Sequence, residues 1–449
     1  MNQRNADTIV AAATPPGRGG VAIVRLSGMD VPGLAQQLLG ALPQPRHATF
    51  TRWHDAAGAL IDSGIALYFP APNSFTGEHV LELQGHGGAL IVEALIERLT
   101  QLGARRARPG EFTQRAFLND KIDLAQAEAI ADLIDAGSRS AAQAAMRSLQ
   151  GEFSRQVHAT REALTSLRVY IEAAIDFPEE EIDFLGSQEL RERLAHVQQL
   201  MDQVLEAARR GARLTRGMTV VIAGRPNAGK STLMNRLLGH EAAIVTPVAG
   251  TTRDLLREQL EIGGVPVELI DTAGLRDSTS DAIEAEGMRR ARAALERSDH
   301  ILYVVDAAAD PAARSFDEEC ASFPAGIPVT LVMNKSDLLQ EGGPGNNAIA
   351  IRISAATGAG LQALREHLAS SAGHTESAGG TFSARARHVE ALERAQQQLA
   401  AASAKLEAKQ GELAAFELRA AQASLGEVLG DVTSDELLGR IFGSFCIGK

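Results

Sequence analysis

The segment that decides the fold reads Val220-Val-Ile-Ala-Gly224-Arg-Pro-Asn-Ala-Gly229-Lys230-Ser231. A short apolar run leads into the pattern GxxxxGKS, and the residues after it have helical spacing. The glycines let the backbone wrap closely, so that its N–H groups converge on a phosphate chain. Lys230 then reaches the terminal phosphates, and the hydroxyl of Ser231 binds Mg²⁺. The segment therefore predicts a nucleoside triphosphate site at a strand–loop–helix junction.

A four-residue motif later in the chain indicates the base. Asn334-Lys-Ser-Asp337 follows the buried-strand pattern of Val329–Met333. The carboxylate of Asp337 can accept hydrogen bonds from two N–H groups of guanine, whereas adenine presents no such pair of donors. We expect Asn334 to contact the other edge of the base and the turn Ser354-Ala355-Ala356 to offer a backbone N–H to its carbonyl. The predicted nucleotide is GTP.

Candidate residues for sensing the γ-phosphate lie between these two motifs. Asp271 follows the strand-like Val265–Ile270 and begins Asp271-Thr-Ala-Gly274. We expect Asp271 to hold the Mg²⁺ shell and the N–H of Gly274 to sense the γ-phosphate. The segment Gly250-Thr251-Thr252 offers a further hydroxyl to the metal. Leu275 occupies the position where Ras-like enzymes carry a water-orienting Gln, so another residue must orient the water.

Composition narrows the class of protein. The chain has 449 residues, 45% hydrophobic and 22% charged, which is typical of globular proteins with several domains. A net charge of −12 and an aromatic content of 4% argue against non-specific DNA or RNA binding. Cys320 and Cys446 cannot build a disulfide framework or a four-cysteine zinc site. With neither a transmembrane span nor a signal peptide, the sequence predicts a cytoplasmic protein.

Proline usage and hydrophobic periodicity indicate the domain organisation. Residues 110–225 contain only Pro178 and residues 345–449 contain no proline, so both blocks are expected to be largely helical. The first 118 residues look mixed α/β, and residues 217–370 alternate strands and helices as in a doubly wound parallel sheet. We therefore predict an α/β + α fold, in which a Ras-like doubly wound domain interrupts a helical domain.

The elements and boundaries expected from these patterns are specific. The strands are residues 8–11, 21–26, 80–83, 218–223, 265–270, 301–306, 329–333 and 349–353, and the helical stretches are 33–39, 89–102, 120–175, 189–210 and 385–441. The predicted domains are an N-terminal domain at 1–118, a helical domain at 119–215 and 374–449, and a GTPase domain at 216–373.

The order of these parts resembles the bacterial tRNA modification GTPase family MnmE, also called TrmE. Segments outside the GTPase motifs carry the resemblance as well, and it extends over essentially the whole chain. They are Thr14-Pro-Pro-Gly-Arg-Gly-Gly20, Leu81-Glu-Leu-Gln-Gly-His-Gly-Gly88, Arg108-Pro-Gly-Glu-Phe-Thr113, Asn119-Asp-Lys-Ile-Asp-Leu-Ala-Gln-Ala-Glu128 and the terminal Phe445-Cys-Ile-Gly-Lys449.

The resemblance implies cofactors and partners. The N-terminal domain would dimerise and bind a tetrahydrofolate derivative, 5-formyl or 5,10-methylene. GTP hydrolysis would require Mg²⁺ and K⁺ and pairing of GTPase domains within a homodimer. A FAD-containing partner of the MnmG (GidA) type would form a heterotetramer-like complex with it. Together they would add an aminomethyl or carboxymethylaminomethyl group to C5 of the wobble uridine of certain tRNAs.

The resemblance also assigns residues. K⁺ would be bound by Asn227, Thr246, Val248 and Thr251, and Mg²⁺ by Ser231 and Thr252; tetrahydrofolate would be bound by Arg25, Glu82, Lys121 and Lys449. The expected GTP contacts are Asn227, Ala228, Gly229, Lys230, Ser231, Thr232, Thr246, Pro247, Val248, Ala249, Gly250, Thr251, Thr252, Asp271, Thr272, Ala273, Gly274, Asn334, Lys335, Asp337, Ser354 and Ala355. Catalytic roles are expected for Lys230, for Cys446 and for Glu284 as the water-positioning residue, with Glu286 as a rival for Glu284.

Two other functions remain open at this point. One is an assembly GTPase of the Era or ribosome-biogenesis type, although residues 380–449 lack the strongly basic RNA module expected of it. The other is a folate-dependent, methyltransferase-like enzyme with a regulatory GTPase domain. The segment Gly17-Arg-Gly-Gly-Val-Ala22 imitates a dinucleotide-binding fingerprint, but it leads into a predicted strand instead of a helix. We therefore expect no dinucleotide site there.

Overall fold

The computed structural model describes residues 7–176, 187–239, 257–271, 289, 292–339, 350–372, 382–431 and 435–448. The chain divides into two compact units. The first unit combines Met1–Ala131 with Arg419–Lys449, and the second is Asp132–Leu418. In the part of the chain that the structure describes, no helix has the length and apolar character needed to cross a membrane.

The first unit contains a six-stranded sheet of order β3-β4-β5-β2-β1-β6. Neighbouring strands are antiparallel except β1 and β6, which run parallel. Three strands were predicted: β1 has the expected length and is shifted by one residue, and β2 and β5 are longer than expected, whereas β3, β4 and β6 were not predicted. The bounds are β1 Ile9–Ala12, β2 Gly19–Ser27, β3 Thr49–His54, β4 Leu60–Phe69, β5 Val80–Gly87 and β6 Arg105–Arg106.

Helices cover one face of this sheet. Helices α1 (Val31–Leu39) and α2 (Ala89–Gln101) bury inward-pointing side chains of the strands, among them Val24 and Leu83. Because side chains alternate along a strand, the neighbouring residues point to the opposite face. There α3 (Glu111–Leu118) places Phe112 against Ile9 and Ala11.

The C-terminal segment completes the first unit. Helix α4 spans Leu124–Ile134, and Leu124 belongs to an apolar cluster with Phe442 and Phe445. Helix α12 (Gly411–Leu429) precedes α13 (Asp435–Gly443), which carries Phe442. The end of the chain is thus packed against the beginning of the helical region.

Among the described residues, four helices of the helical region lie wholly within the second unit. They are α5 (Arg139–Leu149), α6 (Glu152–Asp176), α7 (Gln188–Arg216) and α11 (Ala386–Glu407). The predicted stretch 120–175 is interrupted because Ser138 caps α5, and because Gly151 adopts a φ of 81°, a left-handed conformation that favours glycine.

The second sheet has the order β12-β11-β10-β7-β9-β8 and is parallel except for its edge strand β8. The bounds are β7 Met218–Ala223, β8 Arg257–Ile262, β9 Val265–Asp271, β10 His300–Asp306, β11 Val329–Asn334 and β12 Ala350–Arg352. Helices α8 (Lys230–Leu238), α9 (Arg314–Glu319) and α10 (Leu361–Ser371) alternate with these strands.

This alternation confirms the predicted doubly wound domain. Apolar side chains from the two faces of its strands belong to different core clusters, so the sheet is buried on both sides. The chain enters this domain from α7 and continues after it into α11, so the domain is inserted within the helical domain. The predicted fold class is therefore confirmed.

Candidate functional site

The loop after β7 has the conformation that the GxxxxGKS pattern predicts. Gly224, Asn227 and Gly229 have φ values of 139°, 63° and 92°. A Cβ atom at Gly224 would lie 2.2 Å from the carbonyl oxygen of Val304, and one at Gly229 would lie 2.3 Å from the Nδ2 of Asn334. These positions require glycine because another strand or side chain approaches the backbone directly. The loop is thus a tight cradle.

Helix α8 begins at Lys230, directly after the cradle. Lys230 is buried, and its Nζ donates to the carbonyl oxygens of Gly224 and Arg225, both at 2.9 Å. The ammonium group therefore lies inside the curve of the loop. Thr232 is exposed in the first turn of the helix. A cationic side chain and the N-terminus of a helix together favour bound phosphate.

The two described magnesium candidates are in direct contact. The hydroxyl of Ser231 donates to the Oδ2 of Asp271 at 2.8 Å. Asp271 is buried at the end of β9, which pairs in parallel with β7. A hydroxyl and a carboxylate oxygen are ligands that Mg²⁺ prefers, so this pair fits the metal.

Asn334 of the guanine motif connects three loops by hydrogen bonds. The Nδ2 of Asn334 donates to the carbonyl oxygen of Ala228 at 2.8 Å, and its Oδ1 accepts from the N–H of Ala355 at 2.9 Å. Asp337 lies exposed in the turn that follows. The motif residues and the phosphate cradle therefore form one connected surface at the carboxyl ends of the strands, where ligands bind in open α/β sheets.

Asp306 belongs to this surface and was not predicted. The Nζ of Lys335 donates to its Oδ2 at 2.6 Å. Burial alone would raise the pKa of Asp306, but the hydrogen bond from Lys335 and those from two backbone N–H groups outweigh burial and lower it. The ion pair fixes the lysine of the guanine motif. The position of an aspartate at the end of a buried strand was the signal that identified Asp271, and it applies equally to Asp306.

The turn Ser354-Ala355-Ala356 uses two of its three backbone N–H groups within the protein. The N–H of Ser354 donates to the carbonyl oxygen of Ala359, and the N–H of Ala355 donates to Asn334. Both groups are thus used inside the protein. Among the described residues, no acceptor lies on the N–H of Ala356, which leaves it as the amide that can face the carbonyl of a base.

Several predicted residues lie outside the described residues. They are Thr246, Pro247, Val248, Ala249, Gly250, Thr251, Thr252, Thr272, Ala273, Gly274, Leu275, Glu284, Glu286 and Lys449.

The predicted folate residues Arg25 and Glu82 form a cross-strand pair in the first unit. They are register partners on β2 and β5, and the Nε of Arg25 donates to the Oε1 of Glu82 at 2.9 Å. The guanidinium carbon lies 5.9 Å from the centre of the Phe112 ring. Lys121 is exposed and donates from its Nζ to the carbonyl oxygen of Pro72 at 2.8 Å. No hydrogen bond or ion pair in the described part of the chain joins Lys121 to the Arg25–Glu82 pair.

The C-terminal tail reaches the strand beside this pair. The N–H of Gly110 donates to the carbonyl oxygen of Cys446 at 3.3 Å. A Cβ atom at Gly448 would lie 2.0 Å from the carbonyl oxygen of Ala12, and Ala11 is the register partner of Arg25. The last described residue thus lies against β1, next to the strand that carries Arg25.

The two large apolar side chains of the tail differ in burial. Phe445 is buried, whereas Ile447 is 60% exposed and lines a cavity of about 650 Å³ with the Thr14–Gly19 loop. Cys446 is an exposed free thiol.

Comparison with known families gives consistent matches. Residues 8–121 match the family model "GTP-binding protein TrmE N-terminus", and residues 124–446 match the model "MnmE helical domain". The chain is 55% identical over 453 residues to the tRNA modification GTPase MnmE of Pectobacterium carotovorum subsp. carotovorum (strain PC1). That match covers 99% of this chain and 100% of the relative.

Solved structures with similarity to the chain are GTP-binding proteins. A variant of Era from Aquifex aeolicus, bound to GDP and AlF4⁻, is 28% identical with a TM-score of 0.28. The match covers 40% of this chain and 66% of that one. The G domain of the T. maritima FeoB iron transporter is 23% identical, with a TM-score of 0.27 and coverage of 34% and 98%.

Proposed function

This chain belongs to the MnmE family of tRNA modification GTPases, and on that premise we propose a specific reaction, cofactor set and residue assignment for it. The chain is an enzyme that hydrolyses GTP and acts in tRNA modification. The observation that carries the assignment of its nucleotide site is the contact of Ser231 with Asp271 at the mouth of the phosphate cradle. The proposed domains are the N-terminal domain at 1–118, the helical domain at 119–215 and 374–449, and the GTPase domain at 216–373.

The nucleotide site would bind GTP through three described groups of residues. The backbone N–H groups of residues 227–232 and the ammonium of Lys230 would hold the phosphates, and Ser231 and Asp271 would hold Mg²⁺ together with Thr252. Asp337 would pair with guanine, Lys335 would stay fixed by Asp306, and the N–H of Ala356 would face the guanine carbonyl. The connection of Asn334 to both Ala228 and Ala355 supports this arrangement, since it sets the distance between base and phosphate sites.

Hydrolysis would depend on a cation other than an arginine. Arg225, beside the cradle, is held by Glu318 and Glu319, so it is already paired within the chain. A K⁺ ion bound by Asn227, Thr246, Val248 and Thr251 would supply positive charge near the bond that breaks. Asn227 is exposed at the rim with a left-handed backbone, which supports this role. Glu284 would orient the attacking water in place of the missing Gln.

Salt exchange tests this part of the proposal. Turnover in KCl should exceed that in NaCl by about tenfold or more, because one developing charge is worth a few kcal/mol. Glu284→Ala should abolish hydrolysis while leaving GTP affinity unchanged, and Glu286→Ala is the matched control. Equal rates in the two salts would contradict the assignment of Asn227.

The first unit would bind a 5-formyl or 5,10-methylene tetrahydrofolate. Glu82 would face the amino-pyrimidine edge of the pterin, and the cations of Arg25, Lys121 and Lys449 would meet its carboxylates or ring. The position of Gly448 on the strand beside Arg25 supports the assignment of Lys449. Cys446, exposed on the same tail, is the candidate for a chemical role.

The complete reaction would need partners. A homodimer of this chain would work in the cytoplasm with a FAD-dependent MnmG-type protein in a heterotetramer-like complex. It would install an aminomethyl or carboxymethylaminomethyl group on C5 of the wobble uridine of certain tRNAs, with the one-carbon unit from the folate.

Nucleoside analysis of tRNA tests this proposal. A deletion strain should lack the modified wobble uridine, and the full chain should restore it. A chain without Cys446–Lys449 should hydrolyse GTP at the normal rate but fail to restore the nucleoside, because the folate site lacks its tail. Unchanged nucleosides in the deletion strain would instead favour an assembly GTPase.

A further inference from the structure

The β-hairpin formed by β8 and β9 joins the two segments expected to sense the γ-phosphate. Its open end lies at Arg257, which follows the Gly250–Thr252 segment in the chain, and at Asp271. Its closed end is the two-residue turn Gly263-Gly264, with φ values of 57° and 82°. Positive φ at both turn residues is typical of a type I′ turn, whose twist matches the paired strands. The hairpin is therefore a regular, tightly paired element.

One end of strand β9 is at the nucleotide site. Asp271 accepts the hydrogen bond from Ser231, as described above. From there β9 runs back to Val265 over about 20 Å. Leu260, Val267 and Leu269 of the hairpin are buried in the core of the domain. Buried, paired strands of this kind move as a unit, because close-packed interiors transmit displacement instead of absorbing it.

The other end of the hairpin is docked on the N-terminus of helix α5. The hydroxyl of Ser138 donates to the carbonyl oxygen of Gly264 at 2.8 Å and accepts from the N–H of Ala141 at 3.1 Å. The Oε2 of Glu261 accepts from the N–H of Arg139 at 3.1 Å. A helix leaves its first N–H groups without partners in the helix, and a carboxylate near them is favourable. The hairpin thus supplies part of the cap of α5.

The contact leaves no free space between the two elements. A Cβ atom at Gly264 would lie 2.7 Å from the Oγ of Ser140, and one at Gly137 would lie 3.1 Å from the Cβ of Pro266. The backbone of each glycine therefore lies directly against a side chain of the other element. A shift of the turn must displace the first turn of α5 or break its cap.

Helix α5 is in turn bound to the segment that leads into α11. The N–H of Ser383 donates to the carbonyl oxygen of Ala144 at 3.1 Å, and the hydroxyl of Ser148 donates to the carbonyl oxygen of Ser383 at 2.8 Å. The chain of contacts runs from Asp271 through the hairpin to α5 and then to the start of α11. Between elements each step is a direct hydrogen bond, and within an element it is the paired strand or the helix itself.

We propose that the β8–β9 hairpin transmits the nucleotide state of the GTPase domain to the helical domain through Glu261 and the cap of α5. Glu261 and Ser138 are positioning residues in this proposal, since neither contacts the nucleotide. The inference rests on the proposed function in taking a guanine nucleotide as the ligand of Ser231 and Asp271. It does not depend on tRNA or on folate.

Hydrogen–deuterium exchange on the full chain tests the proposal directly. In the wild type, the amides of residues 139–142 should exchange at rates that differ about fivefold or more between the GDP form and the form with a non-hydrolysable GTP analogue and Mg²⁺. Glu261→Ala should abolish that difference, while the Ser138 cap keeps α5 folded. Glu258→Gln removes a carboxylate from the same strand and should leave the difference intact.

Two activity measurements complete the test. Glu261→Ala should hydrolyse GTP within about twofold of the wild-type rate, yet tRNA modification should fall about fivefold or more, as expected for a lost coupling energy. Equal exchange rates of the α5 amides in the two nucleotide forms of the wild type would overturn the proposal. Loss of GTP hydrolysis in Glu261→Ala would overturn it as well. A wild-type chain whose α5 responds to nucleotide but which modifies no tRNA would refute the proposed function and leave this coupling in place.

Discussion

The two six-stranded sheets of this molecule place their polar chemistry in different positions. In the parallel sheet the strands are buried on both faces, and Lys230 and Asp271 lie where strands end. In the antiparallel sheet Arg25 and Glu82 face each other in the middle of paired strands. A parallel sheet has helices on both faces, so its ligands must bind at the strand ends. The second face of this antiparallel sheet is only partly open, because α3 covers it at Ile9 and Ala11, and polar pairs can lie beside the covered part.

The buried charged residues near the two sheets also differ in their role. Beside the antiparallel sheet, Arg115 is 2% exposed and contacts the carboxylates of Glu78 and Glu111. This network joins α3 to the loop before β5, so it belongs to the scaffold. In the parallel sheet the buried Lys230 and Asp271 belong to the candidate nucleotide site. Substitution of a buried charged residue should therefore affect mainly function in the GTPase domain and mainly stability in the first unit.

The largest effect on stability should come from the buried network. Arg115→Met should lower the free energy of unfolding of the first unit by about 3–5 kcal/mol, because it leaves the buried carboxylate of Glu78 without its charged partner. Arg106→Met removes an exposed pair with Glu93 in the same unit and should cost less than about 1 kcal/mol. Trp53 is the one tryptophan of the chain and is buried in this unit, so its fluorescence during urea unfolding measures both variants. Equal costs would show that the network contributes no more than a surface pair.

A substitution at the end of a parallel strand should give the opposite result. Asp337→Asn should weaken GTP binding by about a hundredfold, because hydrogen bonds to a charged group contribute about 1.5–3 kcal/mol each. It should also shift preference towards xanthine nucleotides, and it should leave the unfolding free energy unchanged because Asp337 is exposed. Calorimetric titration with GTP, XTP and ATP measures the affinities, and Asp317→Asn is an exposed control in the same domain. Unchanged GTP affinity would remove Asp337 from the site.

The same contrast explains what the sequence could predict. The phosphate cradle and the guanine motif are contiguous stretches in which residue type and spacing carry the chemistry, so they were found directly. Arg25 and Glu82 are 57 residues apart, and only the register of β2 and β5 brings them together. No local pattern encodes such a pair. The family resemblance, and not the spacing, supplied it.

The missed elements were missed for specific reasons. Strand β8 is an edge strand in which Leu260 and Ile262 alternate with polar residues, and its one strong local signal is the Gly263-Gly264 pair of the hairpin turn. Strands β3 and β4 belong to an antiparallel sheet with one partly exposed face, so their apolar pattern is weaker. The use of the Ala355 amide by Asn334 depends on tertiary contact and has no signal in the sequence.

Acid should affect the two units in different pH windows. His300 begins β10, and burial, with the nearby His367, lowers its pKa from 6.5 to about 4. As the pH falls, His300 takes up a proton in the unfolded chain near pH 6.5 but in the folded chain only near pH 4. Protonation therefore favours the unfolded state between these values, and the second unit should lose about 2 kcal/mol of stability at pH 5. Burial opposes ionisation of Glu111, but Arg105 and further partners lower its pKa to about 2 from 4.5. Its contribution is therefore kept at pH 5 and is lost only between 4.5 and 2.

Urea unfolding at pH 7 and pH 5 measures this difference. Trp53 fluorescence reports the first unit, and exchange of the β10 amides reports the second. His300→Gln should remove the extra loss at pH 5 from the second unit and leave the first unit unchanged. An identical pH response in His300→Gln and the wild type would show that other groups cause the acid sensitivity.

A smaller effect on stability than that of Arg115→Met should come from the Arg25–Glu82 pair, on the partly open face of the antiparallel sheet. The side chains of Arg25 and Glu82 are 24% and 15% exposed, against 2% and 7% for Arg115 and Glu78, so water can partly solvate Glu82 once the arginine is lost. Arg25→Gln should therefore cost about 1–2 kcal/mol in unfolding free energy, less than Arg115→Met in the same unit. If the pair serves folate, the same variant should weaken binding of 5-formyltetrahydrofolate by about tenfold or more, since a charge-assisted contact is lost. Titration calorimetry with that compound, with Arg52→Gln on β3 as the control, separates the two roles. A cost in stability equal to that of Arg115→Met, with folate affinity unchanged, would assign Arg25 to the scaffold and remove the functional meaning of the open face.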